Sequence, residues 1–130
     1  MDREASCSCG QLRLEVRGEP IRVSVCHCRA CQRRTGSVFG AQARFSESQV
    51  VQHGEAAVYE RQGDSGNGVH CGFCPRCGST ITLRLEGLDD MVVVPVGAFA
   101  DSEFPAPGVS VYEARIHPWV SLIGELTHLD

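Results

Sequence analysis

The sequence predicts a mainly β protein, one small domain of short antiparallel strands. Three observations carry this. Apolar and polar residues alternate in several short runs, turn residues (Gly, Pro and Asp) interrupt the chain at close intervals, and no stretch has the periodicity of a long amphipathic helix. Such a pattern favours an all-β sheet or an open-barrel arrangement. A chain of 130 residues with 42% hydrophobic content suffices for one core and is short for two, so residues 1–130 read as a single domain.

Taken in order, the elements begin with Leu12, Leu14 and Val16, which alternate with Arg13, Glu15 and Arg17 in the pattern of a half-buried strand. Ile21, Val23 and Val25 repeat it. Gly18, Glu19 and Pro20 lie between, so these two strands are expected to form a hairpin that delivers Cys26 at its open end. Arg29 to Arg34 predict one short helical turn, closed by Thr35 and Gly36. Strand-like runs follow at Val38 to Phe45, Ala56 to Tyr59, Ser79 to Leu85, Met91 to Val96 and Val109 to Ile116. The Gly/Ser/Asp stretch from Gly63 to Gly68 reads as an internal loop, because cysteines that look like partners lie on both sides of it.

The N-terminal Met1 to Ser6 is polar and lacks the apolar core of a signal peptide. The longest apolar run, Met91 to Ala100, is broken by Pro95 and Gly97 and falls short of the ~20 residues of a membrane span. A soluble, cytoplasmic protein is expected, with no membrane partner. The net charge of −4 argues against nucleic acid, whose binding draws on many phosphate-neutralising cations. All 12 basic residues are Arg, so lysine Schiff-base or lysine general-base chemistry is excluded.

The eight cysteines fall in close clusters, with Cys7 and Cys9 in the first, Cys26, Cys28 and Cys31 in the second, and Cys71, Cys74 and Cys77 in the third. With no export signal, this spacing points to metal ligation rather than to a disulfide framework. Cys9 and Cys77 are each followed directly by glycine, as a tight turn of backbone around a sulfur-bound ion requires. Cys7, Cys9, Cys74 and Cys77 therefore form a candidate closed four-thiolate site, structural in kind, against the plainer reading of cysteines buried in a core.

Cys26, Cys28 and Cys31 lie close enough for one turn to aim three sulfurs at a second ion, leaving a fourth position open. An open position marks a catalytic or ligand-binding zinc. Three thiolates make the ion a weak activator of water and a good host for another soft ligand, a thiolate. His27, between two ligands, is expected to point away from the ion and support it from outside; it is also the candidate acid, alongside water. Arg29, Arg33 and Arg34 crowd the same turn and could bind carboxylates of a small anionic thiol, or simply face solvent. Cys71 leaves an alternative open: as a fourth ligand it would close the second site. His117, Pro118 and Trp119 suggest a pocket wall or a core plug, and His53, His70 and His128 suggest no role.

The ordered set CSCG at Cys7 to Gly10, CHCRACQRRTGS at Cys26 to Ser37, FCPRCGS at Phe73 to Ser79 and a late Trp119 resembles the glutathione-dependent formaldehyde-activating enzyme family, also called centromere-protein-V-like. The resemblance spans nearly the whole chain. It implies a β-tent fold related to zinc ribbons, with a structural zinc on Cys7, Cys9, Cys74 and Cys77 and a second zinc on Cys26, Cys28 and Cys31. It also implies a carbon–sulfur lyase that joins glutathione to formaldehyde, the glutathione sulfur occupying the open position. The sequence thus predicts a zinc-dependent enzyme, two ions per chain, acting on a small thiol and an aldehyde. The alternative is a non-catalytic zinc module that binds a thiol or a protein partner.

Overall fold

The computed structural model describes residues 2–63 and 65–130. Among the described residues, eleven strands form two sheets. The smaller sheet has the order β1 (Asp2–Ser6), β2 (Arg13–Arg17), β5 (Val50–His53), all antiparallel. The larger follows β11 (Thr127–His128), β10 (Val109–Val111), β3 (Arg22–Cys26), β4 (Gly40–Ser46), β9 (Met91–Pro95), β8 (Thr80–Leu85), β7 (Gly68–Phe73), β6 (Ala57–Gln62). Pairing is antiparallel from β3 to β6 and parallel where β10 meets β3 and β11. The row ends at β11 and β6 without closing, so the mainly β expectation holds as open sheets and not as a barrel.

The alternating pattern of β2 seats Leu14 and Val16, with Leu12 just before them, against the large sheet. There they join Val23, Ala43, Phe45, Ile81, Val92 and Val94 in the main core, which Phe99 and Phe104 close at one side. Burying such side chains is the principal stabilising contribution.

One expectation fails here. β2 and β3 do not pair: β2 lies between β1 and β5, and β3 between β10 and β4. Gly18, in the left-handed region at φ 75°, turns the chain out of one sheet and into the other. The apolar faces of β2 and β3 therefore meet across the core instead of sharing one sheet. The run predicted from Val109 to Ile116 also shortens, because Tyr112 takes φ 58° and a 3-10 turn, Glu113–Arg115, follows.

With one face of the large sheet spent on the core, the other is free to build a site. Its cross-strand row runs Arg22, Arg44, Val93, Leu83, Cys71, Tyr59, and beside it Leu85, Val69, Arg61. The β7–β8 register slips at Gly72, where an added Cβ would lie 2.3 Å from Thr82 Oγ1.

Candidate functional site

The β1–β2 turn carries Cys7 and Cys9, and the β7–β8 turn carries Cys74 and Cys77. The two turns are built alike. Cys7 N–H bonds Leu12 O at 2.9 Å and Cys74 N–H bonds Ser79 O at 2.9 Å. Gly10 (φ 86°) and Gly78 (φ 83°) return the backbone beneath the sulfurs. Ser8 Oγ and Ser79 Oγ, 3.0 Å apart, tie one turn to the other.

All four sulfurs lie within 4.8 Å of one another. Cys7 to Cys9 and Cys9 to Cys74 measure 3.6 Å, too long for a disulfide. A tetrahedral ion with bonds of ~2.3 Å would set its sulfurs roughly 3.8 Å apart, so the set fits such an ion. N–H groups converge on the sulfurs: Gln11 Nε2 on Cys74 at 3.0 Å, Arg76 N on Cys74 at 3.4 Å and Leu12 N on Cys7 at 3.3 Å. Burial opposes ionisation of Cys74, yet the Gln11, Cys77 and Arg76 donors outweigh it and lower its pKa. Hydrogen bonding to Ser79 brings Cys77 down to about 5.

The second set grows from the end of β3. Cys26 closes that strand, Cys28 caps α1 (Arg29–Thr35), and Cys31 lies in its first turn. Cys28 replaces the usual hydroxyl cap, its sulfur accepting from Cys31 N–H at 3.3 Å. Gly36 ends the helix in the left-handed region, as Thr35 and Gly36 predict. The three sulfurs, all buried, lie within 4.8 Å of one another. Gln42 Nε2, from β4, donates to Cys31 at 3.2 Å. Hydrogen bonds from Cys26 and then Cys31 hold Cys28 down at about 2, while the same bond to Cys28 raises Cys26. One proton is therefore lost easily and the rest resist, which a divalent cation reverses.

Cys71 does not join this set. It sits buried on β7, in the apolar cluster of Val69, Leu83 and Val93. A cleft of about 270 Å³ reaches two of the three, Cys26 and Cys28, and is walled by Val69, Leu83, Leu85 and Tyr112.

His27 is 0% exposed, with Nε2 2.9 Å from Ser110 Oγ and Nδ1 buried without a hydrogen-bond partner. Burial lowers its pKa. Gln32 Nε2 donates to the His27 carbonyl at 2.8 Å, and Gln32 Oε1 meets His117 Nε2 at 2.9 Å. His117 thus braces the cysteine loop. Trp119 stands edge-on to His117 at 73% exposure, so it is not a core plug. Arg29 and Arg33 are exposed, and Arg34 packs beside Cys31, where Gly40 leaves it room. His53, His70 and His128 pair with Glu15, Glu60 and Glu113. Gln11 and Gln42 escaped the sequence reading because nothing in cysteine spacing identifies the amides that will face the sulfurs.

Fold and site together define a small β domain with two cysteine sets that could hold metal ions, one complete with four sulfurs and one with three. The model of the glutathione-dependent formaldehyde-activating enzyme family matches residues 2–115. The chain belongs to that family. No curated protein sequence matches it significantly. A crystal structure of a Rhodobacter sphaeroides protein is similar in fold, with a TM-score of 0.55 at 21% identity over 73% of this chain and 85% of that one.

Proposed function

We propose that the protein is a zinc-dependent carbon–sulfur lyase that makes and breaks the adduct of a small thiol, of the glutathione type, with an aldehyde such as formaldehyde. One observation carries this reading: three buried sulfurs gathered within 4.8 Å, with no fourth among the described residues, beside a cleft that reaches Cys26 and Cys28. Zinc, one structural ion on Cys7, Cys9, Cys74 and Cys77 and one working ion on Cys26, Cys28 and Cys31, suits all-thiolate sets. Bound at the second set, it would supply a position where a substrate thiol is held as thiolate at neutral pH.

The chain's own groups do the rest. Gln42 Nε2–H donates to Cys31 Sγ and Cys31 N–H to Cys28 Sγ, which fixes these two ligand sulfurs in direction. Val69, Leu83 and Leu85 narrow the cleft so that thiol and aldehyde meet in a restricted orientation. In the forward direction the sulfur forms a bond to the carbonyl carbon, and the carbonyl oxygen takes up the proton the thiol gave up. His27, the acid suggested by sequence, is fully enclosed and bonded to Ser110, which favours a positioning role for it and water as the proton carrier. No helix is long and apolar enough to cross a membrane. Eight free thiols suit a reducing compartment, and we assign the protein to the cytoplasm.

The test is exchange between free formaldehyde and S-hydroxymethylglutathione, followed by magnetisation-transfer NMR with and without protein. The addition is quick on its own, so the protein-free rate is the baseline. Acceleration by the wild type and its loss in Cys28→Ser support the lyase. Glutathione binding without acceleration would leave a thiol-binding zinc module.

A further inference from the structure

The cleft beside Cys26 and Cys28 is basic in a way that the thiolate chemistry does not require. Arg22, Arg44 and Arg61 line it, and among the described residues no carboxylate does. Arg22 and Arg44 are direct partners across β3 and β4, so their side chains leave the same face of the sheet side by side. Two like charges so placed repel unless an anion lies between them. Arg22 Nε is buried and has no hydrogen-bond partner. Arg44 is half-buried, and burial together with the Arg22 charge lowers its pKa. Neither forms a salt bridge among the described residues, in a chain where Arg3, Arg13 and Arg84 each have a glutamate. A buried guanidinium nitrogen without a partner is costly, and a carboxylate is the ligand that the guanidinium fork fits best.

The position of the pair gives the ligand a length. Arg22, Ser24 and Cys26 share one face of β3, so Arg22 Cα lies about 13 Å along the strand from Cys26 Cα. Ser24 and Gln42, partners in the same ladder, fill the interval with polar groups. Val69, Leu83 and Leu85 add an apolar lining. Arg61 lines the same cleft, and its charge favours the ionised form of Cys28.

We infer that Arg22 and Arg44 form a carboxylate subsite, which selects thiols whose anionic group lies several bonds from sulfur over compact or uncharged thiols. The inference rests on the reading of the three-cysteine set as the seat of a thiol. Arg22 and Arg44 act on specificity: they anchor the far end of the molecule while its sulfur reaches the other end of the cleft.

Simple thiols serve as a ruler in calorimetric titrations of the zinc-loaded protein. Mercaptohexanoate and mercaptohexanol have the same reach and differ in charge, whereas mercaptoacetate and mercaptoethanol are too short to span the cleft. Mercaptohexanoate should bind roughly tenfold or more tightly than mercaptohexanol, the worth of a charge-assisted pair. The short pair should show no comparable preference. Arg44→Gln and, separately, Arg22→Gln should abolish the long-chain preference and leave mercaptohexanol binding unchanged, which also reports an intact fold. Equal binding of the two long thiols by the wild type, or a preference that survives both substitutions, overturns the subsite while leaving the thiol seat standing. If none of the four thiols binds, the thiol seat itself fails, and the subsite with it.

Discussion

Two glutamine amides donate to cysteine sulfurs, one in each set. Gln11 Nε2 lies 3.0 Å from Cys74 Sγ and also donates to Glu55 O at 2.7 Å, while Gln42 Nε2 lies 3.2 Å from Cys31 Sγ. Donors that fix and stabilise a ligand are worth about 10–100-fold in metal affinity. Gln42→Ala should weaken the second site by roughly that factor and leave the first unchanged, as measured by competition with a chromophoric chelator. Gly54 shows a different dependence. It sits at φ 95°, and a Cβ there would fall 1.9 Å from Gln11 O. Gly54→Ala therefore combines backbone strain with displacement of the Gln11 segment, and should cost about 3 kcal/mol in a denaturant titration. The cysteines were legible at this scale because a sulfur ligand must be a cysteine and turns bring near neighbours together. Gln11, in the turn before β2, and Gln42, Arg22, Arg44 and Arg61, on strands, were not, because tertiary placement decides which side chains come near the sulfurs or line the cleft. The arginines singled out by nearness in sequence, Arg29 and Arg33, turn out exposed.

At the scale of elements, the short helix and most strands followed from alternation and turn residues, and each misreading has its own cause. The β2–β3 hairpin failed because adjacent amphipathic strands can pair in one sheet or face each other across a core, and the local pattern is identical in both. β7 was missed because it carries His70 and Gly72 among its apolar residues, and β1 because it is short and polar. These two strands hold the turns of the four-cysteine set. An ion there would tie the β1–β2 turn to the β7–β8 turn, segments distant in the chain, whereas Cys26, Cys28 and Cys31 lie on one local turn. Cys77→Ser should therefore lower the melting temperature sharply, its loss being a large share of a marginal stability of about 5–15 kcal/mol. Cys28→Ser should chiefly remove one ion and change the melt little. Equal losses in both variants would show that the second set is structural as well.

For the whole molecule, two sheets share one core, and the outer face of the larger carries the cleft. The family was readable from the ordered cysteine motifs. The parallel addition of β10 beside β3 was not, although it delivers Ser110 to His27 and Val111 to the cysteine turn. Protein purified with its metal should contain two zinc ions per chain by elemental analysis, and a reproducible value of one would contradict the two-site account. The sharpest test concerns the fourth position proposed for an ion at the three-cysteine set. In the cobalt-substituted protein, a small thiol such as glutathione should change the thiolate-to-cobalt absorption as sulfur enters the coordination sphere. The change should disappear in Cys28→Ser and persist in Cys71→Ser. A spectrum already showing two four-sulfur sites before any thiol is added, with one of them opened by Cys71→Ser, would contradict the account.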